Sequence, residues 1–329
     1  MVLHIYNPEH DIALAKNDAF FTAPKAAMRT RQLFCHVPAF WANDGDWILV
    51  DDISQAKKNL EGISRTLPVV EFVTLDCLAK LSTASLPEKI EPWGWDKKIV
   101  ATLLRCNPLL KSLLPTDEQL DDIRRMSSRQ FAAEMILPEL IKADERLTGE
   151  MIAMSGNADE IVEKINSLRP VVVKSPWSCS GRGVRFIVAE LTASEKGWIA
   201  NTLKEQGVIM AEPMYDKMKD FAMEFLATKQ GVKYLGLNIF ETSRGQYLQN
   251  SAMTEQEKKA ELSEFIDCEL IDKVKDKLVE ITSRLFLDRY EGPFGVDMMI
   301  VKTADNITKI HPCVELNLRR TMGHIGLYR

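Results

Sequence analysis

The sequence predicts a multi-lobed fold of mixed α/β and α+β character, on three observations: its length, its first ninety residues and its last third. At 329 residues the chain exceeds what one hydrophobic core usually serves, so two or three lobes are expected, with a cleft between lobes. The first ninety residues alternate short β-rich runs with helical ones, and the last third gathers longer apolar runs separated by one helix. The division that follows is an N-terminal α/β lobe over 1–92, a helical linker and central subdomain over 93–211, and a C-terminal subdomain over 212–329.

Along the chain, 2–6, 47–50 and 71–75 read as strands and 24–33 and 54–60 as helices, from hydrophobic period and β-branched content. The segment 86–95, with Pro87, Pro92 and Gly94, interrupts that periodicity and is taken as the first boundary. A helix is expected over 96–106, stopped at Asn107-Pro108. Another starts at Thr116, where Gln119 completes the spacing of a capping box. A helical stretch over 128–143 carries Pro138 as a kink or stop. After an amphipathic helix over 158–168 come a strand at 171–174, a loop at 175–183, a strand at 184–188, a helix at 192–204 opened by the Thr192 and Glu195 capping box, and a strand at 208–211. Strands are expected at 221–228, 234–240, 294–301 and 308–315, with a helix over 270–285. The Glu- and Lys-rich stretch 250–264 is either a mobile loop or a solvated helix.

Composition excludes several classes of function. With 46% hydrophobic residues, 27% charged residues and a mean hydropathy of -0.14 the chain is that of a globular protein. A net charge of -5 with no basic stripe argues against nucleic acid as a partner. The six cysteines are scattered without CxxC pairs, as expected of reduced thiols in a cytoplasmic protein. No signal-peptide core follows the N-terminus, and no apolar run approaches the roughly 18 residues of a membrane span.

Two segments can carry chemistry. In 171–184, VVVKSPWSCSGRGV, a β-branched strand delivers Lys174 to its end and a small-residue loop with two glycines follows, where backbone N–H groups could approach phosphate oxygens. On this segment alone a plain β-hairpin, with Gly181 and Gly183 serving turn geometry, stays equally open. The GxxxxGK[ST] pattern of a P-loop is absent. In 312–319, PCVELNLR, strand alternation puts Glu315, Asn317 and Arg319 on one face, while Asp297 interrupts the apolar run GPFGVDMMI upstream. An ionised acid among apolar neighbours needs a partner or a metal. Magnesium takes a few protein oxygens and completes its shell from phosphates and water, which Asp297, Glu315 and Asn317 could satisfy. An exposed polar edge with Glu315 and Arg319 paired in solvent is the plainer alternative.

In this order, a lysine-bearing strand, a glycine loop, a Glu-bearing hinge strand and then D…ExN, the chain resembles the ATP-grasp superfamily over 96–319. The resemblance implies an ATP-grasp fold with an N-terminal α/β pre-ATP-grasp lobe and a metal site in the C-terminal subdomain. It also implies that Lys174 contacts the phosphates, that Ser180, Gly181, Arg182 and Gly183 form the loop above them, and that Lys97 is the earlier phosphate-binding lysine. Glu212, in the hinge-like 208–214, would lie near the base or ribose, and Asp220 would contact the ribose, with Glu224 on the same strand face as its competitor. Asp297, Glu315 and Asn317 match the magnesium ligands and Arg319 the cation beside the transferred phosphoryl group. The chain departs from the family in Arg182 and Trp177, and it ends ten residues after Arg319, which predicts a differently closed fold or a clipped chain.

The reaction so implied is ATP-dependent ligation. A small-molecule or peptide carboxylate is activated as an acyl phosphate and captured by an amine or similar nucleophile, with ATP and Mg2+ (Mn2+ as an alternative ion) as cofactors and with Lys174 and Arg319 in catalytic roles. The rivals are a small-molecule kinase with the same nucleotide cradle and a non-catalytic nucleotide-binding protein. Acceptor contacts are expected from Glu9, His10 and Asp11 after the first strand and from Arg244 in the turn at 242–245. Homo-oligomerisation is left open.

Overall fold

The computed structural model describes residues 1–64, 66–178, 183–243, 246–250 and 253–327, and of 242–250 the backbone alone. The chain divides into two compact units, Met1–Arg124 and Arg125–Leu327.

The first unit is a parallel sheet of β1 (Val2–Ile5), β2 (Trp47–Leu49), β3 (Glu71–Val73) and β4 (Lys89–Pro92), in the order β3-β2-β1-β4. Both faces are covered, as a parallel sheet requires. Leu3, Ile5, Leu49 and Ile90 pack with Ile99, Leu103 and Leu110 on one side, and Ile48, Val50 and Phe72 with Cys35, Ala39 and Ala56 on the other. The segment 86–95 is therefore more than a turn, because it contains β4. Pro92 is tolerated there because β4 is an edge strand and ends at that residue. The unit also runs past that segment through the helix Lys97–Cys106 and into the helix Asp117–Met126, as far as Arg124. Asp96 caps the first of these by accepting from Ile99 N at 2.9 Å.

The second unit holds two antiparallel sheets. One contains β5 (Ile152–Met154), β6 (Val171–Lys174), β7 (Val184–Ile187) and β8 (Ile209–Pro213) in the order β5-β8-β6-β7. The helices Ala158–Ser167 and Ala193–Gln206 cover one of its faces, and Ile161, Ile165 and Ile199 meet Val171, Val173, Ile187, Ile209 and Ala211 there. The expected Thr192 and Glu195 capping box is present. The other sheet contains β9 (Asp216–Thr228), β10 (Gly231–Ser243), β11 (Gln246–Asn250), β12 (Gly292–Lys302) and β13 (Thr308–Asn317), in the order β11-β10-β9-β12-β13. The helix Cys268–Phe286 buries Leu270, Val274, Leu278 and Ile281 and packs on β9 and β10.

Three local outcomes refine the sequence reading. The polar stretch 250–264 contains a helix, Glu255–Ser263, opened by a Thr254 and Glu257 capping box. It is not wholly solvated, since Lys258 is buried and donates Nζ to the Leu237 carbonyl at 2.8 Å. The stretch 129–141 stays helical through Pro138 because five residues, Ala132–Ile136, widen into a π-helical turn just before it. A helix at Met322–Leu327 follows β13. Among the described residues no helix is long and apolar enough to cross a membrane, and Cys35, Cys77, Cys106, Cys268 and Cys313 are free thiols.

Candidate functional site

Strand alternation builds the site. On β9, Phe221, Met223 and Phe225 are fully buried, with Phe225 stacked on Phe294 at 5.0 Å, so Asp220, Ala222 and Glu224 point to the opposite face. Register carries that face across the sheet. One row runs Asn238, Ala222, Asp297, Glu315 and the next runs Gly236, Glu224, Gly295, Asn317. An irregularity in the β12 and β13 pairing between Asp297 and Met299 sets Glu315 beside Asp297, a re-aiming typical of bulges near sites. On the other sheet Val171 and Val173 face the helices, which turns Val172 and Lys174 the other way. The two faces enclose a cavity of about 400 Å³ lined by Lys174, Glu212, Asp220, Glu224, Asp297, Glu315, Asn317 and Arg319 among others.

The cavity brings opposite charges close. Lys174 Nζ lies 2.6 Å from Glu212 Oε1, both side chains being buried, while Glu212 Oε2 has no hydrogen-bond partner. Asn317 donates Nδ2 to Asp297 Oδ2 at 3.0 Å and accepts from Arg319 Nη2 at 3.0 Å. Burial first, and then the Glu315 and Glu224 carboxylates, push Asp297 up to about 8, against the opposing pull of Arg319 and Asn317. Asp297 thus sits where burial and neighbouring carboxylates both disfavour its charged form. Asp220 meets Lys217 Nζ at 2.5 Å.

Not every expected residue joins this cavity. Lys97 belongs to the first unit, where its Nζ pairs with Asp121 at 2.9 Å, and it is not among the lining residues. Among the described residues, the cation that lines the cavity besides Lys174, Lys217 and Arg319 is Arg129. Buried at the start of its helix, Arg129 donates Nη1 to the Ser175 carbonyl at 2.7 Å and Ser178 Oγ at 2.9 Å, and Nη2 to Glu315 Oε1 at 2.8 Å. It therefore ties the end of β6 to β13. No local pattern marked it, because its partners lie 46 and 186 residues away.

Of the loop, Gly183 is described, and Ser180, Gly181 and Arg182 lie outside the described residues, as does Arg244. Gly183 accepts from Ser175 N at 2.8 Å, and a Cβ there would overlap Ser175 Oγ and Ser178, so close approach requires glycine. Glu9, His10 and Asp11 lie in the first unit. Glu9 is buried and pairs with Arg31 at 3.2 Å and Lys98 at 3.4 Å, and His10 Nδ1 faces Asp96 Oδ2 at 3.1 Å.

No protein-family model and no curated protein matches the chain. Solved structures do. The D-cycloserine synthetase DcsG superposes with a TM-score of 0.51 at 12% identity, covering 100% of this chain and 97% of that one. The biotin carboxylase of Campylobacter jejuni in a β-γ-ATP complex gives 0.54 at 12% identity, covering 99% of this chain and 66% of that one. The biotin carboxylase domain of the Hydrogenobacter thermophilus 2-oxoglutarate carboxylase, in complex with MgADP, ADP and bicarbonate, gives 0.50 at 13% identity, covering 99% and 68%. At such identities the likeness is one of fold, and the fold is the ATP-grasp fold across nearly the whole chain.

Proposed function

We propose that the protein is an ATP-dependent ligase that activates a carboxylate as an acyl phosphate for capture by an amine or similar nucleophile. One observation carries the reading: Lys174 with Glu212 on one sheet, and Asp297 with Glu315 and Asn317 on the other, line one cavity in the second unit.

The residues fit magnesium. Asp297 and Glu315 supply hard carboxylate oxygens and Asn317 a carboxamide, and a divalent cation would offset the burial and then the Glu315 and Glu224 charges that push Asp297 up to about 8. Among the described residues no group of three or more His, Cys, Asp or Glu has metal-ligand spacing. The set is thus too small for a closed protein cage and suits an ion that takes its remaining ligands from phosphates and water. Bound there, magnesium and ATP supply the transferable phosphoryl group and neutralise its charge. The chain's own part is electrostatic: Lys174 and Arg319 face the cavity as cations, Arg129 holds Glu315 in place, and Glu212 and Asp220 line the wall for the nucleoside. No protein nucleophile is needed.

The test is ADP release from ATP and magnesium over a metabolite pool containing hydroxylamine. Trapped hydroxamate is expected, whereas a stable phosphoester would replace the ligase with a kinase. Asp297→Ala and Glu315→Ala should each lower turnover about a hundredfold or more while the far-ultraviolet spectrum stays native. Wild-type turnover in both variants would remove the metal site.

A further inference from the structure

Arg129 commits one of the two oxygens of Glu315. Its Nη2 donates to Glu315 Oε1 at 2.8 Å, in an ion pair whose arginine side chain is 5% exposed and whose glutamate is 27% exposed. The guanidinium is anchored elsewhere as well. Nη1 donates to the Ser175 carbonyl at 2.7 Å and to Ser178 Oγ at 2.9 Å, and the Arg129 backbone N–H donates to the Pro176 carbonyl at 3.1 Å. The Ser128 hydroxyl caps the same helical turn by accepting from Phe131 N at 3.1 Å. The helical segment 129–136 packs on β13, the strand that carries Glu315. Swinging the planar fork away from Glu315 would therefore break the bonds to Ser175 and Ser178 with it.

What remains to a cation is Glu315 Oε2, on the partly exposed end of the pair. Asp297 is constrained in the same sense, since its Oδ2 accepts Asn317 Nδ2 at 3.0 Å, though from a neutral amide rather than a charged fork. Each carboxylate thus presents one oxygen. Octahedral magnesium takes a carboxylate through one oxygen and fills its shell with phosphate and water, whereas calcium, larger and with a wider shell, gains from a carboxylate that closes on it with both oxygens. A committed Oε1 denies calcium that mode. The positive charge of Arg129 disfavours every divalent ion alike, so charge by itself sets no preference between them.

We infer that Arg129 sets the ion preference of the site: by holding Glu315 Oε1 it confines this carboxylate to a single oxygen and so selects magnesium over calcium. The inference rests on the metal site of the ligase reading and adds the residue that chooses the ion. Arg129 acts through Glu315, as a positioning residue.

The test compares the Kd of the magnesium complex of AMP-PNP with that of its calcium complex, by isothermal titration calorimetry on the full chain with each ion in excess. The wild type is expected to bind the magnesium complex about tenfold tighter or more. Arg129→Met keeps the stem and removes every donor, and the ratio should then fall about tenfold, chiefly because the calcium complex tightens. Arg129→Lys keeps the charge but cannot reach Ser175, Ser178 and Glu315 together, so its ratio should lie between. Thermal melting shows which variants are folded. An unchanged ratio in Arg129→Met, or in Arg129→Lys if only that variant folds, overturns the proposal even where both complexes weaken, because a lost charge or a lost phosphate contact moves both alike. A wild type that binds the calcium complex as tightly as the magnesium complex overturns it without any variant. AMP-PNP bound with an unchanged ratio ends the role of Arg129 alone, and AMP-PNP bound with neither ion ends the nucleotide and metal reading with it.

Discussion

His311 is fully buried on β13 with neither ring nitrogen hydrogen-bonded. Its ring meets Tyr215 edge-on at 5.6 Å, and it fits only because residue 149 is glycine, where a Cβ would lie 2.8 Å from Nε2. Burial, and then the Lys174 charge, push it down to about 3 from an ordinary 6.5. The folded protein holds this imidazole neutral while the unfolded chain protonates it near 6.5. Its stability contribution is therefore complete above about pH 6.5 and is lost as pH falls toward 3, at up to about 1.4 kcal/mol per pH unit. His311→Leu, close in volume and not titratable, should flatten the fall in urea-unfolding free energy between pH 6.5 and 5. An unchanged pH slope would show that this ring is not held neutral. Nothing in the sequence marks this, since a lone histidine in 308–315 carries no pattern. Arg129 was hidden for the same reason, whereas Asp297, Glu315 and Asn317 were legible because acids and amides breaking apolar runs require an explanation.

Elements were legible wherever hydrophobic period and caps agreed. The Val171–Lys174 strand, the Thr192 box and the long helix Cys268–Phe286 all lie within a few residues of their expected bounds. β4 was missed because Pro87 before it and Pro92 at its end read as turn, and only its pairing with β1 reveals it as an edge strand. The helix Met322–Leu327 was missed because six residues, two of them glycine, show no period. For 250–264 the sequence left loop and helix open, and the deciding contacts are tertiary. Glu255 accepts from Tyr234 Oη at 2.5 Å and Leu237 N at 2.8 Å, and the Thr254 hydroxyl accepts Glu257 N at 3.3 Å. Thr254→Ala removes the cap and should cost about 1 kcal/mol of unfolding free energy. A loss below a few tenths would mean that the tertiary contacts alone hold this helix.

The molecule as a whole is two compact units, and the lobed architecture followed from length and from the change of element pattern along the chain. All the cavity-lining residues belong to the second unit, and there β6 to β10, β12 and β13 contribute the walls. Ligand binding adds to the cost of any opening that separates those walls. With magnesium and AMP-PNP at a hundredfold above Kd, that added cost is about 2.7 kcal/mol. Amides of Val171–Lys174, Ile209–Pro213 and β13 that exchange through such openings should then slow about a hundredfold in hydrogen exchange. Amides of β1, which supplies nothing to the cavity, should keep their rates. Asp297→Asn should abolish the magnesium-dependent share of the slowing while leaving the unliganded pattern intact. Equal slowing of β1 and β13, or none in either, would contradict a nucleotide site carried by the second unit's two sheets.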